Sequence, residues 1–250
     1  MKTALLPRKS GDETTEYRSP PLPLSFRIRV MYQDDEILIV NKPYDIRIDG
    51  DFPITVEKLV RSEVIMDKFR LCNQLDYSTS GLLVLGKSKV GARNCNKLFS
   101  ERKTSKYYLA IGTGHLTQSI GEAIRVTEKI AEIQGDFRMT IDPEKGLESE
   151  TIAYPIKSTG GKILFLVQIL TGRRHQIRLH MRHVGYPIFG DATYSDRDDE
   201  TDRMMLHAWK LRLPYQEKTI TVTAPLGDEE GFPIKLSEDD IALIHSLSQN

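Results

Sequence analysis

The run Gly81-Leu-Leu-Val-Leu-Gly86 constrains this chain more than any other stretch. Four consecutive apolar residues between two glycines are too few for a helix and read as a buried strand. Extended through Lys87 and Ser88, the same run fits the phosphate-loop pattern G-x-x-x-x-G-K-[ST] letter for letter. That pattern works through a strand before the first glycine, a loop whose amides curl around phosphates, and a helix after the serine. Here the loop positions would expose Leu, Leu, Val and Leu to a triphosphate. Residues 76–80, where the preceding strand is required, are polar and turn-like. Strand is the better reading. A nucleotide hydrolase needs residues 82–85 to be loop, so the local structure separates the two.

Around that strand the chain reads as follows. Residues 1–24 form a polar N-terminal tail closed by Pro20, Pro21 and Pro23, expected to be mobile. One catalytic-size unit is expected over residues 25–250, and a 24-residue tail is too short for an S4-like RNA-binding module. Phe26, Ile28, Val30 and Tyr32 alternate with polar or outward positions, which predicts a strand. A second follows at Ile37 to Val40. Val56, Leu59, Val60 and Val64 have helical spacing within a helix predicted from Thr55, its cap, to Phe69. Ser88 caps a helix to about Arg102, with Val90, Leu98 and Phe99 facing inward. Strands are predicted at about 106–112, 150–157 and 162–170, a helix at about 173–184 ended by Gly185 and Pro187, and late strands at about 205–213 and 218–224. Ser237 caps a terminal helix. Residues 113–149 hold short strands and turns whose order is not readable. Strands outnumber helices without alternating with them, so the class is α+β.

The longest apolar run, Ile163 to Leu170, is interrupted by Gln168 and falls short of the roughly 18 residues of a spanning helix. No signal-peptide pattern opens the chain. Cys72 and Cys95, the two cysteines of 250 residues, therefore read as reduced thiols of an intracellular, cytoplasmic protein.

Two segments carry chemistry. In Leu75-Asp76-Tyr77-Ser78-Thr79-Ser80-Gly81 a carboxylate sits on a short polar loop held by the buried strand, a common setting for a reactive group. Taken alone, Asp76 reads first as a turn aspartate bonding nearby amides. Between residues 173 and 183 stand four arginines and three histidines without one acid. Arg174, Arg178 and Arg182, spaced by four, form a basic stripe beside the apolar stripe Ile177, Met181 and Val184. Either the basic stripe is a solvated face, or it contacts phosphates or pairs with a buried carboxylate. His175, His180 and His183 make a weak zinc set: their helical angles spread over about 140° and four guanidinium groups oppose a dication. No metal and no cofactor site is assigned.

Together, "LDYSTSGLLVLGKS" and "TGRRHQIRLHMRHVGYPIFGD" resemble the RluA-type pseudouridine synthases, which carry H-R-L-D-x-x-T-S-G-L-L and T-G-R-x-H-Q-I-R-x-H…G-x-P-I-x-G-D. The family's E-x-L-x-V-x-N-K-P is matched by Glu36 to Pro43, its K-x-Y-x-A by Lys106 to Ala110, and its L-H-A by Leu206-His207-Ala208. The five elements stand in order over about residues 26–225. The resemblance implies a pseudouridine synthase fold, a mixed and largely antiparallel sheet with flanking helices around a central cleft. It implies isomerisation of a uridine within rRNA or tRNA, without metal, nucleotide or redox cofactor, by a monomer that needs no membrane. Asp76 takes the catalytic role, its carboxylate oriented and kept ionised by Arg178. Tyr108 is expected to stack on the uracil and take part in proton transfer, and Leu206 to pack against the same base. Without the resemblance both are simply core residues. The carboxylate acts either as nucleophile on the sugar or as base for the C2′ proton. The target base must be flipped to reach it, and Arg173, Arg174 and Arg182 are the candidates for phosphate contacts.

The chain departs from the pattern before Leu75: Asn73 and Gln74 replace His-Arg, and that arginine is thought to fill the gap left by the flipped nucleotide. Gln74, assigned to substrate contact, donates hydrogen bonds but carries no charge. An RNA-binding pseudoenzyme is therefore the alternative class. The net charge of zero, 35 basic against 35 acidic residues, does not argue against RNA. Residues 173–183 carry +4, and residues 196–202 carry −4 through five acids and one arginine. Segregated charge of this kind predicts a locally basic cleft with weak affinity for arbitrary RNA.

Overall fold

The computed structural model describes residues 26–195, 199, 201–224 and 235–249. The expected tail, residues 1–24, lies outside them, as do four of the seven residues of the acidic stretch 196–202.

Strand formation follows the apolar runs. Ile37–Lys42 (β2) and Ser80–Gly86 (β3) pair antiparallel, Leu38 opposite Leu85 and Val40 opposite Leu83. Every residue of β3 is buried and its backbone is committed to that ladder. Residues 82–85 are strand, so the phosphate-loop conformation is not adopted. Arg29–Gln33 (β1) pairs with β2 through a bulge between Val30 and Tyr32. The bulge breaks the expected alternation and turns Val30 outward, while Ile28 stays buried.

Ser105–Thr113 (β4), Thr151–Thr159 (β8), Lys162–Ile169 (β9), Leu206–Tyr215 (β10) and Lys218–Thr223 (β11) stand close to their predicted places. The unordered region resolves into Ile124–Val126 (β5), which pairs with β8, and a separate hairpin, Ile130–Glu132 (β6) with Met139–Ile141 (β7). The main sheet runs β1-β2-β3-β10-β4-β9-β8-β5, with β11 on β10. Its pairings are antiparallel except one. β3 and β10 run parallel, through Ser80–Gly81 and His207–Ala208 alone. The sheet is thus mixed and largely antiparallel.

Side-chain alternation on these strands gives the sheet two apolar faces. On one, Leu38, Val40, Leu83, Leu85, Tyr108, Phe165 and Val167 pack with Val56 and Val60 of α1 (Val56–Glu63) and Ile177 and Met181 of α3 (Gln176–His183). On the other, Ile37, Ile39, Leu82 and Val84 meet Ala92 and Cys95 of α2 (Lys89–Ser100), and Leu164 and Leu166 meet Ile244 of α4 (Glu238–Leu247). The caps are as expected: Thr55, Ser88 and Ser237 each accept a main-chain N–H of the first turn, and Ser237 closes a full capping box with Asp240.

Three helix details differ from expectation. α1 ends at Glu63, six residues early, because Val64 turns extended (φ −128°, ψ 126°) to put its side chain into the core. On α2 Gly91, Ala92 and Cys95 are buried and Leu98 and Phe99 pack against the same cluster as expected, whereas Val90 is exposed. α3 starts at Gln176 rather than 173. His175 takes a left-handed φ of 56°, and the Gln176 Oε1 accepts from the Arg173 amide and the Thr171 hydroxyl, winding residues 171–175 into a turn. Cys72 and Cys95 are buried and unbridged. The Cys95 thiol hydrogen-bonds Cys72, which lowers the pKa of Cys72 and raises its own. No helix of the described residues is long and apolar enough to cross a membrane.

Candidate active site

Asp76 stands on the loop that leads into β3, and that loop is pinned from three directions. Gly81 sits at φ +112°, and a Cβ there would come within 2.3 Å of the Ala208 carbonyl oxygen, so glycine is required for β3 to meet β10. The Ser80 hydroxyl lies 2.8 Å from His207 Nδ1 and accepts from Arg203 at 2.7 Å. Lys42, wholly buried at the end of β2, donates to the carbonyls of Pro43, Tyr77 and Thr79 at 2.9, 2.8 and 2.9 Å. Burial pushes the Lys42 pKa down to about 7, against the pull of Asp45 and Asp76.

The partner of Asp76 comes from α3. Arg178 donates from one terminal nitrogen to Asp76 Oδ2 at 3.2 Å. Its Nε and the other terminal nitrogen form a two-point fork on Asp191, both at 2.8 Å. Asp191 also accepts the amides of Thr193 and Tyr194, so the carboxylate that aims the guanidinium is itself held. Burial works against the Arg178 charge, but Asp191 and Asp76 outweigh it and hold the pKa above the ordinary arginine value. Asp76 Oδ1 has no hydrogen bond among the described residues, and the side chain is 21% exposed. His175 Nε2 stands 4.0 Å from that oxygen. Burial drives the His175 pKa down to about 4, even beside a carboxylate.

These groups open onto a cleft of about 930 Å³. Gln74, Asp76, Tyr108, Arg173, Arg174, Arg178 and Leu206 all line it. Tyr108 faces it from β4 and Leu206 from the first residue of β10, two positions away across the β4–β10 pairing. Burial, and then the Asp76 charge, raise the Tyr108 pKa, so its phenol keeps its proton. Arg182, one turn beyond Arg178, is exposed and absent from the lining. The predicted stripe is therefore split. Arg174 precedes the helix, Arg178 is buried in an ion-pair network, and Arg182 faces away from the cleft.

Sequence reasoning missed three contributors. Asp191 closes the YPIFGD element, where no motif or periodicity gives it a role, although an acid there is the natural counter-ion for 173–183. In sequence His175 reads only as a weak zinc candidate, whereas its Nδ1 lies 2.7 Å from the Tyr194 hydroxyl. His180 is engaged by Thr151 and the Glu128 carbonyl, and His183 stands 3.7 Å from the Glu128 carboxylate. Arg47, on the loop after β2, lies 4.4 Å from the Phe52 ring and 5.5 Å from the Tyr77 ring at the cleft; no periodicity or motif marks it.

Comparison with known proteins gives the family of the chain. Residues 36–183 match the family model described as RNA pseudouridylate synthase. Mouse RNA pseudouridylate synthase domain-containing protein 1 is 33% identical over 222 residues, 79% of this chain and 72% of that protein. The Haemophilus influenzae dual-specificity RNA pseudouridine synthase RluA is 32% identical over 215 residues, 81% of this chain and 94% of the relative. The solved structure of human RNA pseudouridylate synthase domain containing 1 superposes with a TM-score of 0.77 at 30% identity, covering 93% of this chain and 98% of the other.

Proposed function

This chain belongs to the RNA pseudouridylate synthase family of isomerases, and on that premise we propose that it converts specific uridines of structured rRNA or tRNA to pseudouridine with Asp76 as the catalytic carboxylate. The observation that carries the assignment is the asymmetry of Asp76: Oδ2 is held by Arg178, and Oδ1 has no hydrogen bond and borders the cleft. A carboxylate fixed by one oxygen presents the other in a defined direction, which suits both routes open to it.

In the nucleophilic route Oδ1 attacks C1′ as the N1–C1′ bond breaks, and the bond's electron pair leaves with the uracil. The uracil turns, C5 attacks C1′ and displaces the carboxylate, C5 loses its proton, and N1 gains one. In the elimination route Asp76 removes the C2′ proton while the same N1–C1′ bond breaks, leaving a C1′=C2′ double bond; the proton returns to C2′ as C5 joins C1′, C5 then loses its own proton and N1 gains one. Both routes use the carboxylate form of Asp76, which Arg178 holds in place. The protonated Tyr108 phenol and its ring support base stacking and proton donation. Leu206 supplies an apolar wall for the base, and Arg173 and Arg174 supply charge at the cleft for the RNA backbone.

The deciding assay measures tritium release from RNA transcripts labelled at uridine C5. The expected result is release by the wild type and a loss of roughly 10³-fold or more in Asp76→Asn. Retained release by that variant removes Asp76 from the mechanism. Gln74, exposed at the cleft and uncharged, favours a second reading, an RNA-binding pseudoenzyme; binding without release on any RNA pool would establish it.

A further inference from the structure

Two lysines near the active site stand in opposite circumstances, Lys42 wholly buried behind the Asp76 loop and Lys106 half-buried at the wall of the cleft. Lys42 spends its ammonium on three carbonyls. Lys106 lies two residues before Tyr108 on β4, so the alternation of the strand sends it to the same face, and it lines the cleft beside Tyr108. Among the described residues no carbonyl, hydroxyl or carboxylate accepts a hydrogen bond from the Lys106 ammonium. The one charged group acting on it is another cation, Arg102. Burial, reinforced by Arg102, pushes the Lys106 pKa down to about 8.

Arg102 is no accident of a loose surface. It follows the last turn of α2 in the left-handed region at φ 56°, which costs a non-glycine residue about 1 kcal/mol or more. Its amide bonds the Phe99 carbonyl at 3.1 Å, which fixes the turn. The adjacent Glu101 is occupied by Lys97 and Lys103 rather than by Arg102. Opposite, a Cβ on Gly172 would stand 3.4 Å from Lys106 Nζ, so the absence of a side chain leaves the ammonium open toward the cleft. Two cations without an acid, one of them desolvated, are unfavourable together until an anion arrives.

We propose that Lys106 and Arg102 form an anion subsite that holds a backbone phosphate of the RNA strand next to the flipped uridine. Two residues along a strand span about 6.6 Å, so the subsite is offset from the ring of Tyr108 and addresses the backbone rather than the uracil. The inference rests on the reading that the substrate is RNA; it does not depend on Asp76 or on turnover.

Two measurements test it. In the wild-type protein, lysine side-chain NMR should find one resonance titrating near 8, assigned by its loss in Lys106→Gln. Inorganic phosphate should raise that midpoint by one unit or more. A midpoint near 10.5 that ignores phosphate overturns the proposal. Separately, equilibrium binding of RNA transcripts over a salt series should give, for Lys106→Gln, a several-fold weaker complex. Its slope of log affinity against log salt should be shallower by about 0.7, the value for one single-strand phosphate contact. Lys106→Arg should restore the slope. An unchanged slope overturns the proposal even if free phosphate binds, because the site would then serve a free anion and not RNA. If Lys106 passes both tests while no transcript releases tritium, the isomerase assignment fails and the subsite stands. An active enzyme with an unaltered salt slope gives the reverse result.

Discussion

The Tyr194 hydroxyl accepts a hydrogen bond from the Met139 amide at 2.7 Å and has one proton of its own to donate. His175 Nδ1 is 2.7 Å away and the Met139 carbonyl 3.4 Å, so the proton goes to the histidine. Nδ1 is therefore the acceptor of a neutral ring, and the N–H sits on Nε2, aimed at Asp76 Oδ1 from 4.0 Å. A contraction of about 1 Å, ordinary when a substrate closes a site, makes that a hydrogen bond. His175 thus acts as a positioning residue for the reactive oxygen. His175→Leu should lower single-turnover kcat about 10²-fold with RNA affinity unchanged. His175→Gln, which returns an N–H at similar reach, should recover most of the loss. Equal rates in both variants would reduce His175 to a wall of the cleft. Little of this was legible beforehand. A histidine in a basic run invites a metal reading, and the tautomer is set by a tyrosine 19 positions later and an aspartate 99 positions earlier, neither of which shares a periodicity with it.

At the scale of elements, the Asp76 loop behaves as an extension of the sheet because Lys42 ties it to β2 and Gly81 seats it against β10. The buried run 82–85 is legible in the sequence: its four apolar residues between glycines favour a strand over the phosphate loop that the same letters spell. The function of Lys42 is not, since Asn41-Lys42 after four apolar residues reads as the end of a strand. Lys42→Met removes donors from three carbonyls, of which the buried Thr79 carbonyl costs roughly 1–3 kcal/mol when left unpaired, while relieving the cost of a buried charge. Stability should fall by a few kcal/mol at most. The sharper effect is local: the Thr79 amide, bonded to the Asp76 carbonyl at 3.1 Å, should exchange with solvent at least tenfold faster. Protection unchanged at Thr79 would mean that β3 and β10 hold the loop without Lys42. The same scale explains the split of the basic stripe. Spacing by four makes a stripe only on a continuous helix, and the left-handed turn at His175 delays the helix to Gln176 and takes Arg174 out of register. A turn held by the Gln176 side chain leaves no trace in hydrophobic periodicity.

Over the whole molecule, the neutral total conceals an interior that depends on uncharged histidines. His175 and His207 are buried, and desolvation lowers their pKa values from 6.5 to about 4 and about 3; His180 is shifted in the same direction for the same reason. In the unfolded chain each titrates near 6.5. Between pH 6.5 and about 4 the unfolded state therefore binds more protons than the folded state, and stability must fall as pH falls through that window. His175 alone accounts for roughly 3 kcal/mol between pH 7 and pH 4. The carboxylates whose pKa is lowered in the fold, among them Asp34 and Asp142, begin from 3.8 and add their own loss only near and below that value, so the histidine window stands apart. Urea denaturation at pH 7, 6, 5 and 4.5 should show the unfolding free energy dropping by more than 1.4 kcal/mol per pH unit in its steepest part, the signature of more than one proton. His175→Gln should remove about one proton from that slope. A free energy flat from pH 7 to 4.5 would mean that these rings carry charge in the folded protein. It would also overturn the neutral donor that positions Asp76, because a protonated His175 would pair with the carboxylate instead of leaving Oδ1 free to react.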